Sequence, residues 1–179
     1  MSERIKWITR GGAAIALIIA VQLITKSLGQ QLITGSLVNL VLAVSTLLFG
    51  WKVGAAAAVV SPFIAYFLGI NAQIAVVPAI AAGNLTYVIV IALAAKLLKG
   101  VKLPELFRNL IAVAAAAVCK FGIQYLLIVK WIAPAFLPAK AQALMAVNFG
   151  VIQLFTACIG GVLACLIVPM VGKGIRSGN

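Results

Sequence analysis

The sequence predicts an all-α integral membrane protein with six transmembrane helices in one bundle, on three observations. Hydrophobic residues make up 65% of the 179 and charged residues 9%, whereas a soluble domain carries about a quarter charged residues. The mean hydropathy is +1.23. The apolar residues gather into runs long enough to cross about 30 Å of hydrocarbon, near residues 11–28, 34–50, 53–70, 73–95, 107–131 and 143–170. These runs are rich in Ala, Leu, Ile and Gly and do not alternate in polarity, so they read as helices and not as barrel strands. Little chain is left over, and residues 1–179 read as a single membrane domain.

Each run is bounded by its own punctuation. A basic start with Arg4, Lys6 and Arg10 leads into the first, and a polar break at 26–31 ends it. Only residues 50–52, Gly-Trp-Lys, separate the second run from the third, which requires a tight helical hairpin. The third contains Pro62 and closes at 69–71; the fourth contains Pro78 and closes at the Lys, Gly and Pro of 99–104. Both prolines fall inside apolar runs, where a kink is expected. The fifth run carries Lys120 and ends in the stretch 134–140, after which the sixth reaches the basic C-terminus.

The cations orient the bundle. With the N-terminus cytoplasmic, ten of the 14 Lys and Arg residues fall on that side, Lys26, Lys130 and Lys140 on the other, and Lys120 between them. Both termini are then cytoplasmic by the positive-inside rule. The net charge of +12 is thus a topology signal; spread along membrane margins without a basic stripe, it does not indicate nucleic-acid binding. A basic start before an apolar run also fits a signal peptide. No convincing small-residue cleavage motif follows, and removal would upset the charge balance, so the first helix is expected to stay. Trp7, Trp51 and Trp131 fall at membrane margins as interfacial anchors.

Several chemistries lack their parts. The chain has no histidine, two acidic residues, and no phosphate-binding Gly-x-x-x-x-Gly-Lys-Ser/Thr loop, so metal hydrolysis, nucleotide hydrolysis and paired-carboxylate catalysis are not expected. Cys119, Cys158 and Cys165 lie in apolar runs without metal-ligand spacing and read as packing residues. No enzyme activity, resident cofactor or metal is expected. Proton-coupled transport usually needs an intramembrane Asp, Glu or His, and none falls within the runs; uphill movement of a solute would draw its energy from a partner.

Uncharged polar residues are instead concentrated toward one leaflet: Thr34, Ser36 and Asn39 at the outer start of the second helix, Asn71 and Gln73 before the fourth, Gln124 in the fifth and Asn148 in the sixth. Asn84, Tyr87, Lys120 and Gln153 fall nearer the midplane, where they can floor a cavity opening outward. Lys120 and Gln124, four apart, share a helix face, and Gln73 and Asn84 fall about 20° apart. On the sixth helix Asn148 and Gln153 diverge by about 140°, so both are not expected to reach one small ligand, and Asn148 is favoured on depth. For each Asn or Gln an interhelical hydrogen bond that only holds the bundle together is the alternative, and for Tyr87 the alternative is packing.

Lys120 needs a partner, because a lysine at mid-helix costs about 2.5–3.5 kcal/mol on insertion scales. Glu3 and Glu105 both map to the cytoplasmic margin. Three readings remain open: the side chain snorkels or stays neutral, it bonds backbone carbonyls freed by a kinked neighbour, or it awaits an anion brought by a ligand. On the last, Lys120→Met weakens binding about ten- to a hundred-fold and leaves the ligand-free protein no less stable.

The length, the six helices, the cytoplasmic N-terminus and the polar first outer loop together resemble the substrate-binding S component of an energy-coupling factor transporter, the vitamin importers of prokaryotes. In the first helix "GGAAIALIIA" places Gly12, Ala16 and Ala20 at the four-residue spacing with which that family docks on its coupling subunit, and "GQQLITGSLVN" occupies the position of the loop that folds over the vitamin. The resemblance implies a high-affinity binding subunit for a vitamin or related micronutrient in the plasma membrane. Its partners would be a membrane coupling subunit and two ATPases, and it would reorient in the membrane to release the solute. Lys120, Gln124, Asn84, Tyr87, Asn148, Ser36, Asn39 and Gln73 are the candidate ligand contacts, and Gly12, Ala16 and Ala20 the docking face. The aromatic cluster with which some members stack large rings is missing. A non-transporting membrane subunit and a self-contained facilitator are the competing readings.

Overall fold

The computed structural model describes residues 2–27, 29–70 and 73–177, and every element among them is helical. α1 (Glu3–Lys26) starts well before the apolar run, because the Ser2 hydroxyl accepts a hydrogen bond from Ile5 N and caps the basic first turns. α2 (Gln31–Phe49) and α3 (Trp51–Phe67) are separated by Gly50 alone. That glycine adopts φ 91°, a conformation side chains rarely tolerate, and it makes the hairpin as tight as the sequence requires.

α4 (Val77–Leu97) is entered through a 3₁₀ turn, Ile74–Val76, and left through another, Leu98–Gly100. Pro78 therefore stands in the first turn of α4, where a missing N–H costs nothing, and does not kink the helix from within. Pro62 does lie inside its helix. α5 (Glu105–Gln124) continues without interruption into eight residues of π-helix, Tyr125–Ile132, and then α6 (Ala133–Phe136). The sixth apolar run is not one helix: it is divided into α7 (Ala139–Asn148) and α8 (Val151–Ser177), with the break at 149–150.

Among the described residues five stretches are long and apolar enough to cross a membrane: Arg4–Lys26, Gln31–Phe49, Ile74–Gly100, Glu105–Phe136 and Ala139–Gly172. The other apolar helix, α3, has 17 residues and spans about 25 Å. α2 is the central element and packs most extensively against α8; it also touches α1, α3 and α4. α1 lies at the periphery, with 28% of its apolar window buried against 50% for α2.

The central core gathers Leu42, Val53, Ala57, Ile91, Val113, Ala117 and Ala164 from α2, α3, α4, α5 and α8. A second cluster, with Val76, Ile128, Met145 and Phe149, ties α7 to the start of α4 and to the π-helical segment. Close approach of α2 and α8 depends on Gly160. A Cβ there would run into the backbone of Ser36 and Leu40, neither of which can turn aside as a flexible side chain would. Gly160→Ala is accordingly expected to lower stability by about 1–3 kcal/mol, read by thermal unfolding in detergent. The control is Gly122→Ala in α5, where a Cβ meets nothing within 4 Å and the better helix former is neutral or stabilising.

Candidate functional site

A cavity of about 340 Å³ opens at the end of the bundle where α1 finishes, α2 begins and α7 meets α8. Lys26, Gln30 and Gln31 line its mouth, and Asn39, Asn84, Lys120, Gln124 and Gln153 line its deeper part. These last five are at most 4% exposed. They come from the neighbouring helices α2, α4, α5 and α8, whose mutual packing brings residues far apart in the chain together.

Lys120 is the centre of the floor. Its ammonium donates to Asn39 Oδ1 at 2.5 Å and to Asn84 Oδ1 at 2.7 Å, and it stands 5.4 Å from the centroid of the Tyr87 ring, within cation–π range. Asn39 Nδ2 in turn donates to Thr156 Oγ1 at 3.3 Å, and the Thr156 hydroxyl donates to Gln153 O at 3.0 Å. Four helices, α2, α4, α5 and α8, are thereby joined through one directional network. The side chain neither snorkels nor rests on backbone carbonyls: it is 1% exposed and bonds two side-chain amide oxygens. Both acceptors are neutral, so these hydrogen bonds are met within the protein without an anionic partner, as a neutral amine in the first reading would also allow.

Gln124 lies across α4 in the room left by Gly83, where a Cβ would overlap its side chain. Its Nε2 donates to Ile80 O at 3.3 Å, and its Oε1 is buried without a partner. Asn148 and Gln153 both line the cavity, which corrects the expectation that only one could. The 140° separation assumed a continuous helix, and the break at 149–150 removes that assumption. The Phe-Gly pair at the break was the sequence signal for it.

Other expected contacts lie elsewhere. Tyr87 is fully buried beneath the floor, and its hydroxyl donates to Ala157 O at 2.9 Å, so it packs and does not line the cavity. The Ser36 hydroxyl donates to Leu32 O at 2.7 Å. Neither Ser36 nor Gln73 is among the lining residues, and Asn71 lies outside the described residues. Gln22 and Thr25 were not expected and do line it, as does Gln30 from the stretch expected to fold over a ligand. A glutamine inside the apolar run of α1, four residues before Lys26, was the available clue.

On α1, Gly12, Ala16 and Ala20 are exposed while Ala14 and Ile18 face the core. At the opposite end of the bundle Arg4, Lys6, Arg10 and Lys52 surround a second depression with Trp7, and the Arg10 guanidinium stands 5.0 Å from the Phe49 ring centroid. Among the described residues no three His, Cys, Asp or Glu come together. Comparison of this chain with protein-family models, curated proteins and solved structures finds no match.

The network revises what Lys120→Met should do. Removing the ammonium leaves two buried amide oxygens without donors, at a cost of about 1–3 kcal/mol each, so the ligand-free protein is expected to unfold at a lower temperature than wild type. A melt of the purified protein checks this, and an unchanged midpoint would show that the two asparagines do not depend on the lysine.

Proposed function

We propose that this chain is the solute-binding membrane subunit of an ATP-driven importer of the energy-coupling factor type, taking up a vitamin or related micronutrient across a prokaryotic plasma membrane. The observation that carries the reading is the one-sided cavity: polar and open at one end, floored by the Lys120 network, with the apolar core of Leu42, Val53, Ile91 and Val113 beyond it. A passage through the bundle would need polar groups through that core. A dead-ended site instead suits a subunit that captures a solute on one side and depends on a larger movement to deliver it.

The distribution of Lys and Arg supports an orientation with both termini cytoplasmic, and in that orientation the cavity mouth faces outside. The exposed stripe of Gly12, Ala16 and Ala20 on the peripheral helix α1 supports a docking role for the coupling subunit, since small residues let helix backbones approach closely in lipid. Energy would come from that subunit and its two ATPases.

Two outcomes are expected. The protein expressed without partners retains a water-soluble small molecule, identified by mass spectrometry of the purified sample, yet accumulates none of it against a gradient in liposomes; accumulation by the protein alone would reject the reading. Ala16→Leu abolishes uptake in cells carrying the full transporter and leaves binding to the isolated subunit unchanged. Unimpaired uptake would move the docking face off this stripe.

A further inference from the structure

At the end of the bundle away from the polar cavity, α1 begins and α2 turns into α3. Arg4, Lys6, Trp7 and Arg10 from the first turns of α1, with Phe49 from the end of α2 and Lys52 from the start of α3, line a hollow of about 520 Å³, within the size range of small-molecule sites, about 300–1,000 Å³. Arg4, Trp7 and Arg10 follow at three-residue intervals and share a strip of α1. The lining carries four cations and no acidic residue. Glu3 is the one acid before Glu105; set against all four cations, it leaves three positive charges.

The helices themselves do not ask for cations here. A helix N-terminus carries partial positive charge and disfavours Lys and Arg in its first turn, yet Arg4 and Lys52 each stand second in their helix. Orienting the bundle needs cations on this side, as the exposed Lys96, Lys99 and Lys102 provide, but not their convergence around a hollow. The Phe49 ring, 5.0 Å from the Arg10 guanidinium, holds that residue at the wall, and among the described residues the side chains of Arg4, Arg10 and Lys52 form no hydrogen bond or ion pair. The hollow also adjoins apolar surface. On peripheral α1, Ile5 and Ile8 are exposed, and Trp7, 42% exposed, stands between them and the cations, as a tryptophan at headgroup level does. A ligand here meets positive charge on one side and apolar side chains on the other.

We infer that this hollow holds the headgroup of an anionic phospholipid, its phosphate among Arg4, Arg10 and Lys52 and its acyl chains along Ile5 and Ile8 on the outer side of α1. In the orientation that the Lys and Arg distribution supports, the lipid comes from the cytoplasmic leaflet, where basic pockets between membrane helices collect anionic headgroups. Bound there, the phosphate joins the first turns of α1 to the α2–α3 hairpin through charge-assisted hydrogen bonds, stronger than neutral ones. A soluble phosphate compound would satisfy the cations and leave the apolar strip unused. The lipid site stands whether or not the opposite cavity takes a solute.

The full chain in a neutral detergent is titrated separately with phosphatidylglycerol, phosphatidylcholine and glycerol phosphate, and the retained molecules are counted by native mass spectrometry. Phosphatidylglycerol is expected to bind about tenfold or more tightly than phosphatidylcholine, and glycerol phosphate, which has the anion without the chains, more weakly than phosphatidylglycerol. Arg10→Gln combined with Lys52→Gln should weaken phosphatidylglycerol binding about tenfold. Lys96→Gln combined with Lys102→Gln removes the same charge from the same side and should change it by less than about twofold. Equal retention of the two lipids, glycerol phosphate binding as tightly as phosphatidylglycerol, or equal losses in the two double variants would each overturn the lipid site. The comparison of the three ligands on the wild-type protein holds even if a variant fails to fold.

Discussion

A buried lysine amino group held by two neutral amides is the constraint around which the rest of this molecule is arranged. Lys120 is 1% exposed in a helix whose neighbours are almost wholly apolar, and its insertion into hydrocarbon would cost about 2.5–3.5 kcal/mol. That cost is acceptable only if α2 and α4 present Asn39 and Asn84 at the right depth, and Asn39 in turn is oriented by Thr156 on α8. The helices therefore cannot slide relative to one another without breaking a bond in low dielectric, where unpaired polar groups are expensive. Apolar packing alone provides no such register in a membrane, because lipid solvates leucine as well as a neighbouring helix does.

The cavity follows from that register. With the lysine and its two asparagines forming a closed floor, Gln22, Thr25, Thr34 and Asn148 line a space that the bundle does not fill, and the Gly83 gap lets Gln124 lie flat against α4. Below the floor, Tyr87 closes the structure by donating to Ala157 O and offering its ring face to the ammonium. The same residue type that would stack a ligand in an open site here serves as a lid on the core.

Hydropathy located the six helical stretches, because membrane spans are a local property of composition and length. It also located the polar end of the bundle, since depth follows from position within a run. What it could not reveal were partners. Asn84 was expected at the depth of Lys120 and Asn39 toward the outer end of its helix, but the bonds join Lys120 to both, across 81 and 36 positions, and side-chain pairing across helices leaves no trace in spacing. The exclusion of Gln153 failed for a related reason: an angle computed along one helix means nothing across the break at 149–150. The π-helical turn at Tyr125–Ile132 had no counterpart in the apolar pattern, because a run of hydrophobic residues reads alike whether wound at 3.6 residues per turn or more loosely.

The two apolar clusters are separate bodies. One holds α1, α2, α3, α4, α5 and α8 together; the other, around Val76, Ile128, Met145 and Phe149, holds α7 against the wall of the cavity. Stability in proteins is not uniform, and a small satellite cluster can loosen while the main one stays intact. Substitutions around Met145 and Phe149 thus reshape one wall, bearing Leu144 and Asn148, without disturbing the interlocked helices beneath. In an evolving lineage that separation makes the shape of the cavity and the foldability of the bundle independently variable traits: one scaffold can acquire a differently shaped hollow through a handful of changes in its smaller core.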